Sequence, residues 1–197
     1  MQNNLSVTHG AKLSTKQLAV VGMLSGVSMV LGMTPLGFIP LPFMNATIMH
    51  VPVIIGAILQ GPIVGALVGL IFGIFSMIRA FSNPSLTAFL FMNPIIAILP
   101  RILIGVGSYY VYKIIKLKTV NIRIGIASVI GSLINTVGVL GLGYLLYGER
   151  LAEVMKISKT AVGITFLTTA STNGVAEAII SALITIPVII ALRKVIK

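Results

Sequence analysis

Charged side chains are scarce in this chain, and that scarcity excludes most classes of protein. Only 9% of the 197 residues are charged, whereas 57% are hydrophobic. Soluble domains carry roughly 25% charged residues. The mean hydropathy of +1.10 points the same way. The composition therefore indicates an integral membrane protein, and it argues against soluble enzymes, coiled coils and disordered regulators.

Cysteine and tryptophan are absent from the sequence, and acidic residues are nearly so. Without cysteine there is no disulfide, no thiolate metal site and no cysteine nucleophile. Three glutamates face 14 lysines and arginines, which gives a net charge of +11. In a membrane protein this excess is explained by the cytoplasmic bias of lysine and arginine beside the spans. We therefore expect a lipid bilayer around the chain and no nucleic-acid partner.

Catalytic and metal-binding patterns are also missing. The sequence contains neither H-E-x-x-H nor a Walker A motif. Its histidines are His9 and His50, and its carboxylates are Glu149, Glu153 and Glu177. These residues are too dispersed along the chain to assemble a zinc site, or a serine nucleophile with an oriented base. We predict no metal, no cofactor and no enzymatic activity.

Hydropathy and turn signals predict an all-α integral membrane protein with one membrane domain, residues 1–197. Residues 1–15 form a polar tail, and six transmembrane helices are expected at about 17–34, 48–60, 62–81, 93–113, 124–147 and 163–192. The intervening segment 34–47 contains Pro35, Pro40 and Pro42 but no charge, which favours a proline-stiffened loop. Residues 149–159 carry both signs of charge and are expected to lie in the last external loop.

The distribution of positive charge predicts the orientation. Nine of the 14 cations lie in the N-terminal tail, in the 113–123 connection or at the C-terminus. The positive-inside rule then places both termini in the cytoplasm. We expect a multi-pass membrane protein. The nine cations are Lys12, Lys16, Lys113, Lys116, Lys118, Arg123, Arg193, Lys194 and Lys197.

Four polar side chains lie deep within the predicted helices. Arg101 and Asn135 are each 12 residues from the cytoplasmic end of their helix, which is about 18 Å. Glu177 lies about 24 Å from its own end, and Asn173 is one turn further out on the same face. A charge at mid-membrane costs roughly 2.5–3.5 kcal/mol, so it normally faces the bundle interior or a wet cavity. Three helices therefore predict a binding cavity that opens to the outside.

Each of these residues also has a structural alternative. Arg101 and Glu177 can neutralise each other as an ion pair, either alone or while Glu177 holds Arg101 towards a ligand. Asn135 can form an interhelical hydrogen bond only. His50 and Asn93 complete the candidate ligand-binding set, although they also fit a helix-start histidine and a turn asparagine.

Small residues recur at helical spacing in two predicted helices. In the third helix they share one face, which favours close internal packing: Gly61, Gly65, Gly69 and Gly73. Gly22 and Gly26 form a second pair in the first helix. By spacing alone, internal packing of this pair is favoured over contact with a partner protein.

Three segments together resemble the S components of energy-coupling factor (ECF) vitamin transporters. They are residues 50–57 (HVPVIIGA), residues 61–69 (GPIVGALVG) and residues 99–105 (LPRILIG). Residues 22–26 (GMLSG) take the place of the Ala-x-x-x-Ala motif of that family. The resemblance covers about residues 16–195 and includes the layout of six helices.

The resemblance implies a function and a set of partners. S components capture a water-soluble vitamin outside the cell, associate with a membrane-embedded coupling protein and two cytoplasmic ATPases, and topple to release the vitamin inside. ATP hydrolysis is then expected in the partner subunits. The family's first-helix motif contacts the coupling protein. For Gly22 and Gly26 the resemblance therefore favours contact with that partner over internal packing. The loop with Pro40, Pro42 and Asn45 takes the place of the gate over the vitamin.

The run 46–50 (ATIMH), with Arg101 downstream, most resembles the pantothenate-specific S components. The planar fork of Arg101 suits the carboxylate of pantothenate. Asn135, Asn173 and Glu177 then suit the amide and the hydroxyls. S components for riboflavin, pyridoxine or a pyrimidine precursor are alternatives. A standalone carrier that uses Glu177 as its proton site is another.

Overall fold

The structure is a computed structural model that describes residues 13–39, 46–82 and 87–196. Its helices are α1 (Thr15–Met33), α2 (Val51–Gln60), α3 (Pro62–Ser82), α4 (Ala88–Met92), α5 (Pro94–Ile114), α6 (Val120–Met155) and α7 (Lys159–Ile196). A 3-10 turn, Pro35–Gly37, follows α1. It leads into two antiparallel strands, β1 (Phe38–Ile39) and β2 (Ala46–Thr47).

Five of the described helices are long and apolar enough to cross a membrane, namely α1, α3, α5, α6 and α7. Helix α2 has ten residues and is about 15 Å long, half the thickness of a bilayer core of roughly 30 Å. Its residues Val51 to Ile58 are all buried. The second predicted span is therefore a short helix that the long helices surround, and the count of six spans stays a prediction. The prediction of an all-α membrane protein agrees with the structure.

Local sequence signals begin and end these helices. Ser14 and Gln17 form a reciprocal capping box at the start of α1. The side chain of Asn93 accepts a hydrogen bond of 2.9 Å from the backbone N–H two residues on, and Pro94 occupies the first position of α5. Gly61 has φ of +101° between α2 and α3, a conformation that glycine adopts without steric cost. These residues fix where α1, α3 and α5 start.

The segment 149–159 differs from its prediction as an external loop. Helix α6 continues past Tyr147, whose φ of −132° marks a kink, and ends at Met155. Helix α7 already begins at Lys159. The charges after Tyr147 end the stretch that is apolar enough to lie in a membrane. The helix nevertheless continues to Met155, because lysine, arginine and glutamate are good helix formers in water.

Glycine brings α3 and α5 into backbone contact. A Cβ at Gly73 would lie 2.7 Å from the carbonyl oxygen of Ala97. A Cβ at Gly65 would lie 3.0 Å from the Cα of Gly105, and one at Gly69 would overlap the backbone of Arg101. Internal packing is therefore confirmed for three of the four glycines, whereas Gly61 lies in the α2–α3 connection. The contact places the backbone of Arg101 directly against α3.

The apolar core lies around α2. Its fully buried members come from α2, α3, α5, α6 and α7, and they include Ile54, Val68, Ile104, Ile124 and Ile189. A smaller cluster packs under α4 around Leu90, Ile96, Leu151 and Val162.

Candidate functional site

A cavity of about 600 Å³ lies among α3, α4, α5, α6, α7 and the β1–β2 hairpin. Pockets for small organic ligands occupy roughly 300–1,000 Å³, so this cavity can hold a vitamin-sized molecule. Much of its wall is apolar and includes four phenylalanines, Phe38, Phe72, Phe75 and Phe91. A few polar groups interrupt that wall, and such an arrangement fixes the orientation of a bound ligand.

Four of the sequence-predicted site residues line this cavity: Arg101, Asn135, Asn173 and Glu177. Each is buried, with between 5% and 8% of its surface exposed. Counting residues along each helix predicted their similar depth, and the structure shows that they also face one another across one space. Their proximity agrees with the sequence analysis, whereas their contact with a ligand stays a prediction.

The guanidinium of Arg101 is held by its own helix and by aromatic rings. Nη1 donates a hydrogen bond of 2.8 Å to the carbonyl oxygen of Ile96. Nε has no partner among the described residues. The guanidinium carbon lies 5.5 Å from the ring centroid of Phe72 and 5.2 Å from that of Phe91. Cation–π contact stabilises the buried charge and leaves N–H donors free, so this cation is arranged to receive an anionic group.

Glu177 does not pair with Arg101, because no nitrogen of Arg101 lies within 4.0 Å of its carboxylate in the part of the chain described. Its Oε1 accepts hydrogen bonds from the backbone N–H of Thr47 at 2.8 Å and from the Thr47 hydroxyl at 3.1 Å. Its Oε2 accepts one from the Thr136 hydroxyl at 2.9 Å. The direct ion pair, one of the alternatives above, is therefore absent. The carboxylate instead ties β2 to α6 and α7.

The two asparagines present amide groups to the cavity. Oδ1 of Asn135 is buried and has no hydrogen-bond partner in the described part of the chain, so the structure gives that oxygen no interhelical hydrogen bond. Oδ1 of Asn173 accepts a hydrogen bond of 3.3 Å from the adjacent Thr172 hydroxyl. An unsatisfied buried amide oxygen costs roughly 1–3 kcal/mol, which a ligand or water that donates to it would recover.

His50 and Asn93 lie outside the cavity lining. His50 is fully buried at the position that precedes α2, and neither ring nitrogen has a partner among the described residues. Asn93 caps α5, and its Nδ2 donates to the hydroxyl of Tyr147 at 3.1 Å. Asn93 therefore matches its structural alternative, local turn chemistry. His50 lies at a helix start as its alternative required, but without the hydrogen bonds of a satisfied histidine in the described part of the chain.

Sequence reasoning missed one face of α3. Phe72, Phe75, Ser76 and Arg79 all line the cavity, and their spacing puts them on one side of a helix. Nη1 of Arg79 donates to the carbonyl oxygen of Gly32, and its guanidinium lies over the ring of Phe38. In the sequence, α3 stood out only through its glycines. Aromatic residues at helical spacing before an arginine were the signal that could have found this wall.

The predicted gate and the predicted coupling surface have different outcomes. Pro40, Pro42 and Asn45 lie outside the described residues, although the strands that flank them are described and paired. Gly22 and Gly26 lie on α1, and a Cβ added at either position would have no neighbour within 4 Å among the described residues. Internal packing, which spacing alone favoured, is therefore wrong for this pair. In that part of the chain the face that they occupy is open, and its contact with a coupling protein stays a prediction.

Known proteins resemble this chain over most of its length. A family model described as "ECF transporter, substrate-specific component" matches residues 16–189. The pantothenic acid transporter PanT of Lactococcus lactis subsp. cremoris is 33% identical, over 79% of this chain and 81% of the relative. The pantothenate transporter PanT of Leuconostoc mesenteroides subsp. mesenteroides is 34% identical, over 64% of this chain and 66% of the relative.

Proposed function

Because the chain belongs to the family of ECF transporter substrate-specific components, we propose that it is the S component of an ECF importer and that its ligand is pantothenate. The family and the five long apolar helices identify it as a multi-pass protein of the bacterial plasma membrane that serves vitamin uptake. Relatives named as transporters of pantothenate support the choice of vitamin.

The arrangement of Arg101 is the observation that carries this proposal. A desolvated guanidinium with free donors is suited to a single carboxylate, which it can bind through two parallel hydrogen bonds. Asn135 and Asn173 line the same cavity and can donate and accept, as the amide and hydroxyls of pantothenate require. The phenylalanines supply apolar surface for the carbon skeleton. Pantothenate therefore fits the charge and the polarity of the wall.

Glu177 has a different role in this proposal. A carboxylate offers about four acceptor sites, and Thr47 and Thr136 use three of them. One site is left for a ligand hydroxyl. Two of the others hold the end of the loop 34–47 at Thr47, and the third binds Thr136 of α6. This loop acts as the gate over the vitamin, and Glu177 keeps one of its two strands in place when the cavity is covered.

The partner proteins complete the proposal. The open face around Gly22 and Gly26, which exposes Leu18, Met23 and Val30, contacts the membrane-embedded coupling protein. Glycine at these positions permits close approach of a neighbouring helix. Two cytoplasmic ATPases hydrolyse ATP, since this sequence has no Walker A motif. The proposal also includes six spans with both termini in the cytoplasm, in which the short helix α2 makes the second crossing.

Calorimetry on the purified protein tests the ligand. Pantothenate is expected to bind with one-to-one stoichiometry, and pantothenate is expected among the small molecules that co-purify, as identified by mass spectrometry. Riboflavin, pyridoxine and a pyrimidine precursor serve as the competing ligands. Binding of one of these with no heat from pantothenate would reject the proposed vitamin. Uptake by this chain alone in liposomes, driven by a pH gradient, would support the standalone carrier and contradict the S-component proposal.

A further inference from the structure

At the end of the helices away from the cavity, two arginines converge on one tyrosine. Nη2 of Arg123, in the first turn of α6, donates to the carbonyl oxygen of Tyr112 at 3.0 Å, and its guanidinium carbon lies 4.5 Å from the ring centroid. Nη2 of Arg193, near the end of α7, donates to the Tyr112 hydroxyl at 2.8 Å, with its carbon 5.4 Å from the same centroid. The two cations therefore lie within about 10 Å of each other.

No side-chain carboxylate of this chain neutralises them. The sequence has three glutamates, and Glu177 lies in the cavity with its oxygens engaged by threonines. Glu149 follows Arg123 by 26 residues along α6, which is about 39 Å, and Glu153 lies further still. The residues that flank the pair in sequence carry more positive charge, namely Lys113, Lys116, Lys118 and Lys194.

The positive-inside rule accounts for the number of cations at one membrane face, but not for this geometry. Solvated cations extend away from one another, whereas Arg123 and Arg193 are both half-buried and share one ring. Each makes one hydrogen bond among the described residues, although a guanidinium has five N–H donors. Nε of Arg123 is buried and has no partner in that part of the chain. Unused donors on two cations that contact the same ring, with no side-chain carboxylate beside them, indicate a site for an anion.

We propose that Tyr112, Arg123 and Arg193, here called the Tyr112 clamp, bind the phosphate group of an anionic phospholipid in the adjacent leaflet. Arginine forms paired hydrogen bonds with phosphate oxygens, and basic pockets between transmembrane helices bind lipid headgroups. Exposed apolar side chains lie beside the clamp in sequence, with Ile114 71% and Ile122 51% exposed. They can contact an acyl chain, which favours a lipid over free phosphate.

Native mass spectrometry of the delipidated full chain tests the site. Phosphatidylglycerol is expected to bind more tightly than phosphatidylcholine. The double variant Arg123→Gln/Arg193→Gln should weaken phosphatidylglycerol binding by about 150-fold, about 12-fold for each arginine whose charged hydrogen bonds to phosphate are lost. Lys116→Gln/Lys118→Gln removes the same charge from exposed positions outside the clamp, and it should lose no more than about fivefold per lysine, the effect of surface charge alone. If the double variant does not fold, Arg193→Gln alone is used.

Several results would overturn the inference. Equal losses in the two double variants would mean that diffuse surface charge, not a site, attracts the lipid. Displacement of the lipid by inorganic phosphate at the same concentration would assign the clamp to free phosphate. Unchanged lipid binding with loss of coupling-protein assembly in the clamp variant would assign these arginines to a protein partner. Lipid binding is measured without the vitamin and without the coupling protein, so its result is independent of the proposed function.

Discussion

Arg101 provides the sharpest test of the binding site, because its contacts can be separated by changing the ligand as well as the protein. Pantothenate and its alcohol analogue pantothenol differ at the carboxylate, which a CH₂OH group replaces in pantothenol. Arg101→Met removes the guanidinium and keeps an unbranched apolar side chain between Phe72 and Phe91. The four combinations of protein and ligand form a thermodynamic cycle that isolates the interaction of the guanidinium with the carboxylate.

The expected magnitude follows from the burial of the group. Arg101 is 5% exposed, and truncating one partner of a buried, hydrogen-bonded charge pair costs roughly 2–5 kcal/mol. Wild-type protein should therefore bind pantothenate about 30-fold to about 5,000-fold more tightly than Arg101→Met does. Pantothenol affinity should change much less, since no charge is left unpaired. Arg101→Lys should fall between, because an ammonium keeps the charge but loses the planar fork.

Isothermal titration calorimetry in detergent or nanodiscs measures all of these affinities. Pantothenol binding by Arg101→Met also controls for folding, because the substitution removes the hydrogen bond to the Ile96 carbonyl as well. Equal losses for the acid and the alcohol would show that Arg101 only shapes the cavity. A wild-type protein that binds both ligands equally would refute the reasoning altogether.

Three further predictions use matched variants. Glu177→Gln replaces the carboxylate by a weaker acceptor for Thr136 and for the β2 strand. Vitamin dissociation, measured by stopped flow, should become about 10-fold faster or more, since hydrogen bonds to charged groups contribute roughly 1.5–3 kcal/mol. An unchanged dissociation rate would show that Glu177 does not hold the gate. Gly22→Leu should keep thermal stability and vitamin binding while it blocks co-purification with the coupling protein, whereas Gly73→Leu should lower the melting temperature, because its side chain meets the α5 backbone. Equal melting temperatures for the two leucine variants would contradict the packing assigned to α1 and α3. Asn135→Leu should change the free energy of unfolding by no more than about 1 kcal/mol, since the Oδ1 of Asn135 has no partner among the described residues. The same substitution should weaken vitamin binding. A large loss of stability would show that Asn135 stabilises the fold and not the bound ligand.

Much of the site could be predicted from the sequence, because the depth of a residue in a membrane helix follows from the number of residues between it and the helix end. Each residue adds about 1.5 Å along the axis, so counting from the basic ends brought Arg101, Asn135, Asn173 and Glu177 to the outer half of the bundle. A buried charge needs a polar surrounding, and this predicted that they would share a cavity. Hydropathy likewise located the helices, although it misjudged the charged segment 149–159.

The side chains that contact those residues could not be predicted in this way. The hydrogen bond between Thr47 and Glu177 joins residues 130 positions apart, and no local pattern encodes it. A direct ion pair between Arg101 and Glu177 was equally consistent with their depths. In the structure, however, the carboxylate accepts hydrogen bonds from threonines and the guanidinium lies over aromatic rings. The orientation of each side chain about its helix axis decided between these arrangements.

By itself, the sequence determined that this is a membrane protein of apolar helices with a few deeply placed polar groups, because scarcity of charge and distance along a helix are properties of the chain alone. Only the tertiary structure decided which polar groups meet, that the second apolar segment is a short helix that the long helices surround and that Gly22 and Gly26 face outward. Those outcomes depend on how helices rotate and cross when glycine permits backbone contact, as Gly69 does against Arg101. That contact is what brings the one buried arginine of α5 to the cavity.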